Sequence, residues 1–344
     1  MRSSHGKATR SFRKESKDMD DNKALILNIQ RLSTEDGPGL RTTVFFKGCN
    51  LRCVWCHNPE SLSSEKQIEW YAARCMGCGL CVTACPTHSI RREEAGFVIN
   101  RETCIACESC VKRCPTLAME VQGTQWNLEE LVYEVLKDKN YFGVDGGITA
   151  SGGECLLQGK FITAFFKRLR AKGIHTALDT AGLVRQDVFA KVLPYTSLVL
   201  LDLKIFERQR HQKYTSVDNE VILKNARYIA EYCALHPDTK LWIRTPVIPH
   251  ITDTEQNILY IGKFITEYLQ PVVERWELLA FNNLCKDKYE RLDMDWQLND
   301  IALIKQEKME ELYEVALKSG VDPEKVIWTG AMKTETEAPR EAEI

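Results

Sequence analysis

The chain has 344 residues, 44% of them hydrophobic and 27% charged, enough apolar material for two domains or for one large α/β domain with an insertion. Its 46 basic and 48 acidic residues leave a formal charge of −2, which gives no reason to expect nucleic acid or an anionic membrane as a partner. No apolar run reaches about 18 residues, so no membrane span is expected.

Residues 1–22 are polar, mixed in charge and without the apolar core of a secretory signal, and they read as a disordered leader. Candidate strands then follow at 24–32, 42–49, 147–154, 175–182, 197–204, 241–249, 275–282 and 325–331. Amphipathic helices are expected between several of them. In 159–173 the residues Phe161, Ile162, Phe165, Phe166 and Leu169 share one face, and 219–232, 254–270 and 303–320 have similar periodicity. Apolar strands alternating with helices imply a parallel sheet, open or closed into a barrel. Residues 67–120 interrupt the pattern with a short, cysteine-dense segment that reads as an insertion depending on bound metal for its fold. The main domain is therefore expected over 23–66 and 121–333, with a flexible tail at 334–344.

Fourteen cysteines are present, and eleven of them fall between positions 49 and 114 in three tight runs, leaving Cys155, Cys233 and Cys285 alone. With no secretory signal, such clustering favours metal ligands in a reducing compartment, and a cytoplasmic location is expected. Two of the runs, CMGCGLCVTACP (75–86) and CIACESCVKRCP (104–115), have the C-x2-C-x2-C-x3-C-P spacing of bacterial ferredoxins. In that arrangement Cys75, Cys78, Cys81 and Cys114 hold one four-iron cluster, and Cys104, Cys107, Cys110 and Cys85 hold a second. Zinc shares the C-x2-C spacing but does not account for two complete runs each ending in Cys-Pro. The first run is different. GCNLRCVWCHNPESL (48–62) places Cys49, Cys53 and Cys56 in a C-x3-C-x2-C spacing with no fourth cysteine nearby, and His57, Cys155 and Cys285 are the protein candidates for the missing ligand.

That spacing resembles the signature of the radical S-adenosylmethionine enzymes, in which the cofactor itself chelates the open iron. The longer stretch STEDGPGLRTTVFFKGCNLRCVWCHNPES is similar to the activating enzymes of glycyl radical enzymes, many of which carry a two-cluster ferredoxin-like insertion at this point. The resemblance covers residues 23–66 and 121–333. It implies a partial TIM-like (β/α)6 barrel, three four-iron clusters and S-adenosylmethionine. Glycines 152 and 153 with Glu154, in SGGE, correspond to the turn that receives the cofactor's amino group. Asp179, Asp202 and Lys204 correspond to residues around its methionyl end, with a monovalent cation near the two aspartates. Arg244 matches a residue that approaches its ribose or carboxylate, and Trp55, His57 and Asn58 would lie beside the adenine. Asp36, in the DGPG turn, would contact the partner's glycine-bearing loop. Three positions depart from the family pattern: Cys155 stands where a proline usually follows the Glu of SGGE, and Asn282 and Cys285 replace a histidine and a glycine, whereas Lys288 and Tyr289 are kept.

The activity implied is reductive cleavage of S-adenosylmethionine at the open cluster formed by Cys49, Cys53 and Cys56. The resulting 5′-deoxyadenosyl radical takes a hydrogen from one glycine of a partner glycyl radical enzyme, with flavodoxin or ferredoxin as electron donor. A pure electron-transfer protein would explain the insertion but not the three-cysteine run. A radical S-adenosylmethionine enzyme acting on a small molecule or peptide would explain all the cysteines but not the DGPG and CHNPES stretches.

Overall fold

The computed structural model describes residues 21–330. Most of the expected leader and the whole of the expected tail lie outside the described residues. The strands are β1 (Lys23–Ser33), β2 (Arg41–Phe46), β3 (Gln67–Trp70), β4 (Ile90–Glu93), β5 (Gly96–Ile99), β6 (Met119–Gln122), β7 (Thr124–Asn127), β8 (Gly147–Gly152), β9 (His175–Thr180), β10 (Leu198–Asp202), β11 (Lys240–Val247), β12 (Val273–Ala280) and β13 (Val326–Thr329). Nine of them form one sheet in the order β13-β12-β11-β10-β9-β8-β2-β1-β7. Every pairing from β2 through β13 is parallel, as the alternating strand and helix pattern requires.

The two remaining strands of that sheet correct the sequence reading. β1 runs antiparallel to β2, because the connection over 34–40 is too short for a parallel crossover. β7, a polar TQWN segment with no strand signal of its own, pairs antiparallel with the outer edge of β1. The expected strand at 42–49 also stops at Phe46, and Lys47–Cys49 leave the sheet to begin the cysteine loop.

The helices are α1 (Leu80–Ala84), α2 (Ser109–Arg113), α3 (Leu128–Leu136), α4 (Gly159–Arg170), α5 (Gln186–Val192), α6 (Arg208–Thr215), α7 (Glu220–Leu235), α8 (Glu255–Phe264), α9 (Lys286–Arg291) and α10 (Gln306–Lys318). Val44, Ile148, Leu178, Val199 and Ile243 line one sheet face, in a core shared with Phe161, Ile162, Phe165, Phe166 and Leu169 of α4. Full burial of each such side chain is worth about 1.5–3 kcal/mol, so this face drives folding. Local signals fix helix starts: Asn127 and Glu130 form a capping box on α3, and Thr254 caps α8.

The opposite face carries the alternate residues and is also buried. Ala177, Leu198, Leu200 and Trp242 cluster there, and the 34–40 loop reaches over it, with a Cβ at Gly37 standing 3.5 Å from Leu198. Arg41, fully buried, holds that loop. Its guanidinium donates to Pro38 O at 3.0 Å, Thr149 Oγ1 at 2.7 Å and Ile148 O at 3.0 Å, and burial lowers its pKa to about 10.

Residues 67–122 form a separate small unit. β3 pairs with β6, β4 with β5, and α1 and α2 each lie within one cysteine run, ahead of its last cysteine. The two runs repeat one backbone path: Gly77, Gly79 and His88 have positive φ, and Ala106, Glu108 and Leu117 repeat it at the equivalent positions. Side chains other than glycine adopt this conformation at a cost, so its recurrence shows that the loop geometry is imposed by the fold. Cys81, Cys85 and Cys110 supply part of the buried core of this unit, together with Ile68, Ile90, Phe97 and Met119. β6 pairs with β3 as far as Gln122, opposite Gln67, just past the expected end of the insertion at 120.

His175 lies at the start of β9 against Arg41 Nη2, 3.2 Å from its Nδ1. Burial, then Arg41 and Arg170, push its pKa from 6.5 down to about 4. Below about pH 6.5 the unfolded chain therefore binds a proton that the native protein refuses, and native stability falls until about pH 4. The urea midpoint of the wild type should fall relative to that of His175→Gln as pH drops from 7 to 4. A difference that stays constant over this range would refute the assignment.

Candidate active site

The cysteines of the first run, Gly152 to Glu154, Asp179, Asp202 and Lys204 come from the C-terminal ends of β2, β8, β9 and β10 or the loops that follow them, Arg244 lies on β11 beside Asp202, and Asn282, Cys285, Lys288 and Tyr289 follow β12. This is where parallel α/β sheets place their chemistry. The cysteine loop leaves β2 and packs against the end of β8. Gly153 N donates to Phe46 O at 3.0 Å and Glu154 N to Gly48 O at 2.9 Å. A Cβ at Gly152 would sit 2.3 Å from Phe46 O and one at Gly153 2.2 Å from Gly48 O, so only glycine allows the approach.

Beyond that junction the loop is clipped at several points. Arg52 N and Val54 N donate to Thr215 O and Tyr214 O at the end of α6, and Asn50 Nδ2 donates to Leu183 O at 2.7 Å. Cys49, Cys53 and Cys56 are partly buried free thiols. Burial raises all three pKa values, that of Cys53 to about 11, and the charge of Lys204 is the main influence opposing the rise at Cys53. All fourteen cysteines are free, and no three or more His, Cys, Asp or Glu side chains converge among the described residues as ligands of a single metal ion would.

Facing Cys53 is a row of charges on adjacent strand ends. Asp179 (β9) accepts from Ser151 Oγ of β8 at 2.5 Å and pairs with Arg244 Nη2 of β11. Arg244 Nε also meets Asp202 Oδ1 of β10 at 3.2 Å, and Lys204 Nζ lies 2.6 Å from Asp202 Oδ2. Two carboxylates and two cations thus balance one another. Against the opposing effect of burial, Lys204 and Arg244 hold Asp202 ionised, while burial raises Asp179. Asp36 belongs to the same face. Its Oδ2 accepts from Ser33 Oγ and Thr43 Oγ1 at 2.6 Å each, its carbonyl accepts from Thr149 Oγ1, and its charge is felt by Asp179 and Arg244.

Four of the side chains singled out from the sequence, those of Glu154, Trp55, Cys155 and Cys285, are buried. Glu154 is 1% exposed, and its carboxylate accepts from Thr180 Oγ1 at 2.8 and 2.9 Å, Ala181 N at 3.0 Å and Leu156 N at 3.1 Å. That carboxylate is engaged with the β8–β9 junction, and burial raises its pKa to about 7. Trp55 is 6% exposed and packs in an apolar cluster with Ile205, Ile251, Phe281, Tyr289 and Trp296. Cys155 is fully buried on the helix-covered face, its thiol donating to Asp179 O at 3.3 Å, and Cys285 is buried with Trp55. Cys233 is buried in α7.

His57 and Asn58 stay beside the cysteines. The His57 ring lies 6.3 Å from Phe281, and its Nε2 is buried with no hydrogen-bond partner. The loop's supports were not anticipated. Lys288 Nζ donates to His57 O and Asn58 Oδ1 at 3.0 Å each and to Glu60 Oε1 at 2.7 Å. Tyr289 Oη donates to Cys56 O at 2.9 Å and Trp296 Nε1 to Val54 O at 3.1 Å. Lys288 and Tyr289 stood in a recognisable segment of the sequence, but Trp296 carried no signal.

Residues 43–259 match the family model of the Radical SAM superfamily, and the chain belongs to that superfamily. It is 38% identical over 291 residues to the trans-4-hydroxy-L-proline dehydratase activating enzyme of Clostridioides difficile, covering 84% of this chain and 94% of that one. It is 37% identical to the (2S)-3-sulfopropanediol dehydratase activating enzyme of Klebsiella oxytoca, over 81% of this chain and 88% of the other. The indoleacetate decarboxylase activating enzyme of Tractidigestivibacter scatoligenes is 34% identical, with 87% and 96% covered. Within the superfamily the chain is thus a member of the activating enzymes that generate the radical of glycyl radical enzymes. No helix among the described residues is long and apolar enough to cross a membrane.

The Arg244 bridge can be tested without any ligand. Arg244→Met leaves Asp179 and Asp202 facing each other at low exposure, and breaking such a buried pair should cost about 3–5 kcal/mol in urea denaturation at pH 7. A loss below about 1 kcal/mol would mean that solvent already screens the row.

Proposed function

We propose that Cys49, Cys53 and Cys56 hold one four-iron cluster whose fourth position is left to S-adenosylmethionine, and that the 67–122 unit is a ferredoxin-like insertion holding two more. The observation that carries this reading is the convergence of the three-thiol loop with Lys204, Asp202, Arg244 and Asp179 on neighbouring strand ends. The donor set fits. Three partly buried free thiols share one loop, and the fourth-ligand candidates Cys155 and Cys285 are committed to cores. His57 Nε2 is an unsatisfied buried polar atom beside the thiols, and the glycines at 152–153 leave a backbone cradle that any Cβ would fill. When bound there, the open cluster and S-adenosylmethionine supply the reductive cleavage that yields the 5′-deoxyadenosyl radical.

This chain's own residues then have distinct tasks. Lys204 and Arg244 present positive charge to an α-carboxylate, and Asp179 and Asp202 present negative charge to an ammonium or sulfonium group. A monovalent cation would be needed only where a ligand draws Arg244 or Lys204 away from the aspartates. His57 and Asn58 border the adenosyl portion. Asp36, held by Ser33 and Thr43 on the interior face, positions the incoming glycine loop of the partner. The buried sheet face excludes water while the radical exists. A glycine Cα suits hydrogen removal because no side chain blocks approach to about 3–3.5 Å.

In the insertion, Cys75, Cys78, Cys81 and Cys114 would hold one cluster, and Cys104, Cys107, Cys110 and Cys85 the other. Backbone amides already point at three of these sulfurs, Gly77 N to Cys75 at 3.4 Å, and Ser89 N to Cys85 and Ala118 N to Cys114, both at 3.2 Å. Although burial opposes it, hydrogen bonds from the Thr87 and Thr116 segments lower the pKa values of Cys85 and Cys114, as thiolate ligation requires. A flavodoxin or ferredoxin would supply electrons from the cytoplasm. By analogy with the curated relatives, the partner is a glycyl radical dehydratase, decarboxylase or lyase.

Protein reconstituted without oxygen should carry about twelve irons, and Cys53→Ala about eight with no cleavage of S-adenosylmethionine. Stoichiometric zinc, or normal cleavage by Cys53→Ala, would overturn the assignment. With reductant, cofactor and the cognate partner, EPR should show a persistent glycyl doublet. A modified small molecule and no protein radical would instead favour the small-molecule or peptide reading.

A separate outcome is expected for Asp36→Ala. It should lower the yield of glycyl radical several-fold while uncoupled formation of 5′-deoxyadenosine continues, because the hydrogen bonds of Asp36 go to Ser33, Thr43 and Thr149 and none reaches the cysteine loop. Equal loss of both would place Asp36 in cofactor binding instead.

A further inference from the structure

The short helix α9 touches both cysteine-bearing parts of the molecule. On one side Lys288 and Tyr289 hold the carbonyls and side chains of residues 56–60, as described above. On the other side Arg291 Nε meets Glu69 Oε2 of β3 at 3.0 Å, and Glu69 is 1% exposed. The Arg291 guanidinium also lies 4.6 Å from the centre of the Tyr71 ring. Arg74, immediately before Cys75, covers the same ring at 3.9 Å. Tyr71 thus lies within cation–π range of two guanidinium groups, one from α9 and one from the start of the first ferredoxin-type run. From inside the small unit, Arg101 Nη2 donates back to Arg291 O at 2.8 Å, and another nitrogen of the same guanidinium donates to Ile68 O.

These contacts make a continuous chain of packed groups from Cys75 through Arg74, Tyr71, Arg291 and Tyr289 to the carbonyl of Cys56. Its middle portion spans three residues, Tyr289 to Arg291, and Tyr289 is itself fixed by stacking on Trp296 at 5.4 Å. The charged contacts are well placed to be stiff. Glu69 is buried, Tyr289 is buried, and Lys288 donates to three acceptors at once, so displacing any of these groups leaves unpaired polar atoms behind.

We infer that α9 is a strut that fixes the insertion against the three-cysteine loop, with Lys288 and Tyr289 as positioning residues toward the loop and Arg291 as the positioning residue toward the insertion. This gives a task to the segment that departs from the family pattern at Asn282 and Cys285: it sets the separation between the two sets of cysteines. The inference rests on the proposed reading only in what those cysteines hold, since the strut itself is built from protein groups alone.

The experiment is hydrogen exchange on the full chain, both metal-free and reconstituted, comparing residues 53–61 with residues 67–75 in Lys288→Met, Arg291→Met and the wild type. Lys288 touches only the loop, and Arg291 reaches the insertion. A strut makes each substitution act on both segments, because coupling between two sites is reciprocal. Exchange in the far segment should rise at least about three-fold in each variant, within the range of coupling through contiguous networks. Arg291→Lys, which keeps a cation opposite Glu69, should recover most of the effect. If either substitution loosens the chain too far for comparison, Tyr289→Phe keeps the ring packing, removes only the donor to Cys56 O, and should still speed exchange at 67–75. Loosening confined to the near segment in these variants would overturn the strut. Iron content tests the other reading separately: about four irons with cross-effects intact would keep the strut and remove the two-cluster insertion.

Discussion

The close approach of two backbone segments at the end of β8 is the constraint on which the site depends. Without Cβ atoms at Gly152 and Gly153, the turn after β8 can donate to Phe46 O and Gly48 O, and this seats the cysteine loop directly over the strand ends. Everything downstream uses that seat. Cys53 then faces Lys204, and the loop's far side comes within reach of Tyr214, Thr215, Lys288, Tyr289 and Trp296. Glu154 locks the same junction from beneath by accepting from β9, which explains why its carboxylate is buried at a place where the sequence suggests a binding group.

Charge placement follows a second constraint. Asp179, Asp202, Lys204 and Arg244 are each 10–18% exposed, too little for any of them to stand alone as a charge. Their alternation along neighbouring strands lets each satisfy the next, so a row of four ionised groups can wait at low solvation. Such a row is preorganised for a zwitterion: an incoming carboxylate and ammonium can exchange partners with charges already in place. The cost of desolvation falls on folding rather than on binding.

Much of this was legible in the sequence, and what was not has physical causes. All eight expected strands of the main sheet formed, because their apolar runs are long and bounded by charged or glycine-rich ends. The antiparallel β1 and the added β7 were not foreseen, since pairing direction depends on loop length and TQWN has no apolar alternation. The cysteine runs and the strand-end charges could be located because ligand spacing and strand position are one-dimensional properties. Side-chain direction is not one-dimensional. Trp55 and Glu154 lie where expected along the chain, yet turn into the core and the β8–β9 junction, which only the packed neighbours decide. Trp296 acts on Val54 from 242 residues away, a contact that no local pattern announces.

The departures at Asn282 and Cys285 fit the same view. Cys285 is buried among Trp55, Phe281 and Tyr289, where a small apolar thiol fills space that bulkier or charged residues would disturb. Burial raises its pKa to about 11, so it stays a neutral packing group at physiological pH. Its neighbours Lys288 and Tyr289 meanwhile direct their polar ends at the cysteine loop, and Arg291 directs its own at the insertion. In this segment, then, the residues that hold backbone are the ones that match the family pattern, and the residues that differ are the ones that fill the core or border His57. A region can lose the letters of its motif while keeping its mechanical task, provided that the donors reaching the loop survive.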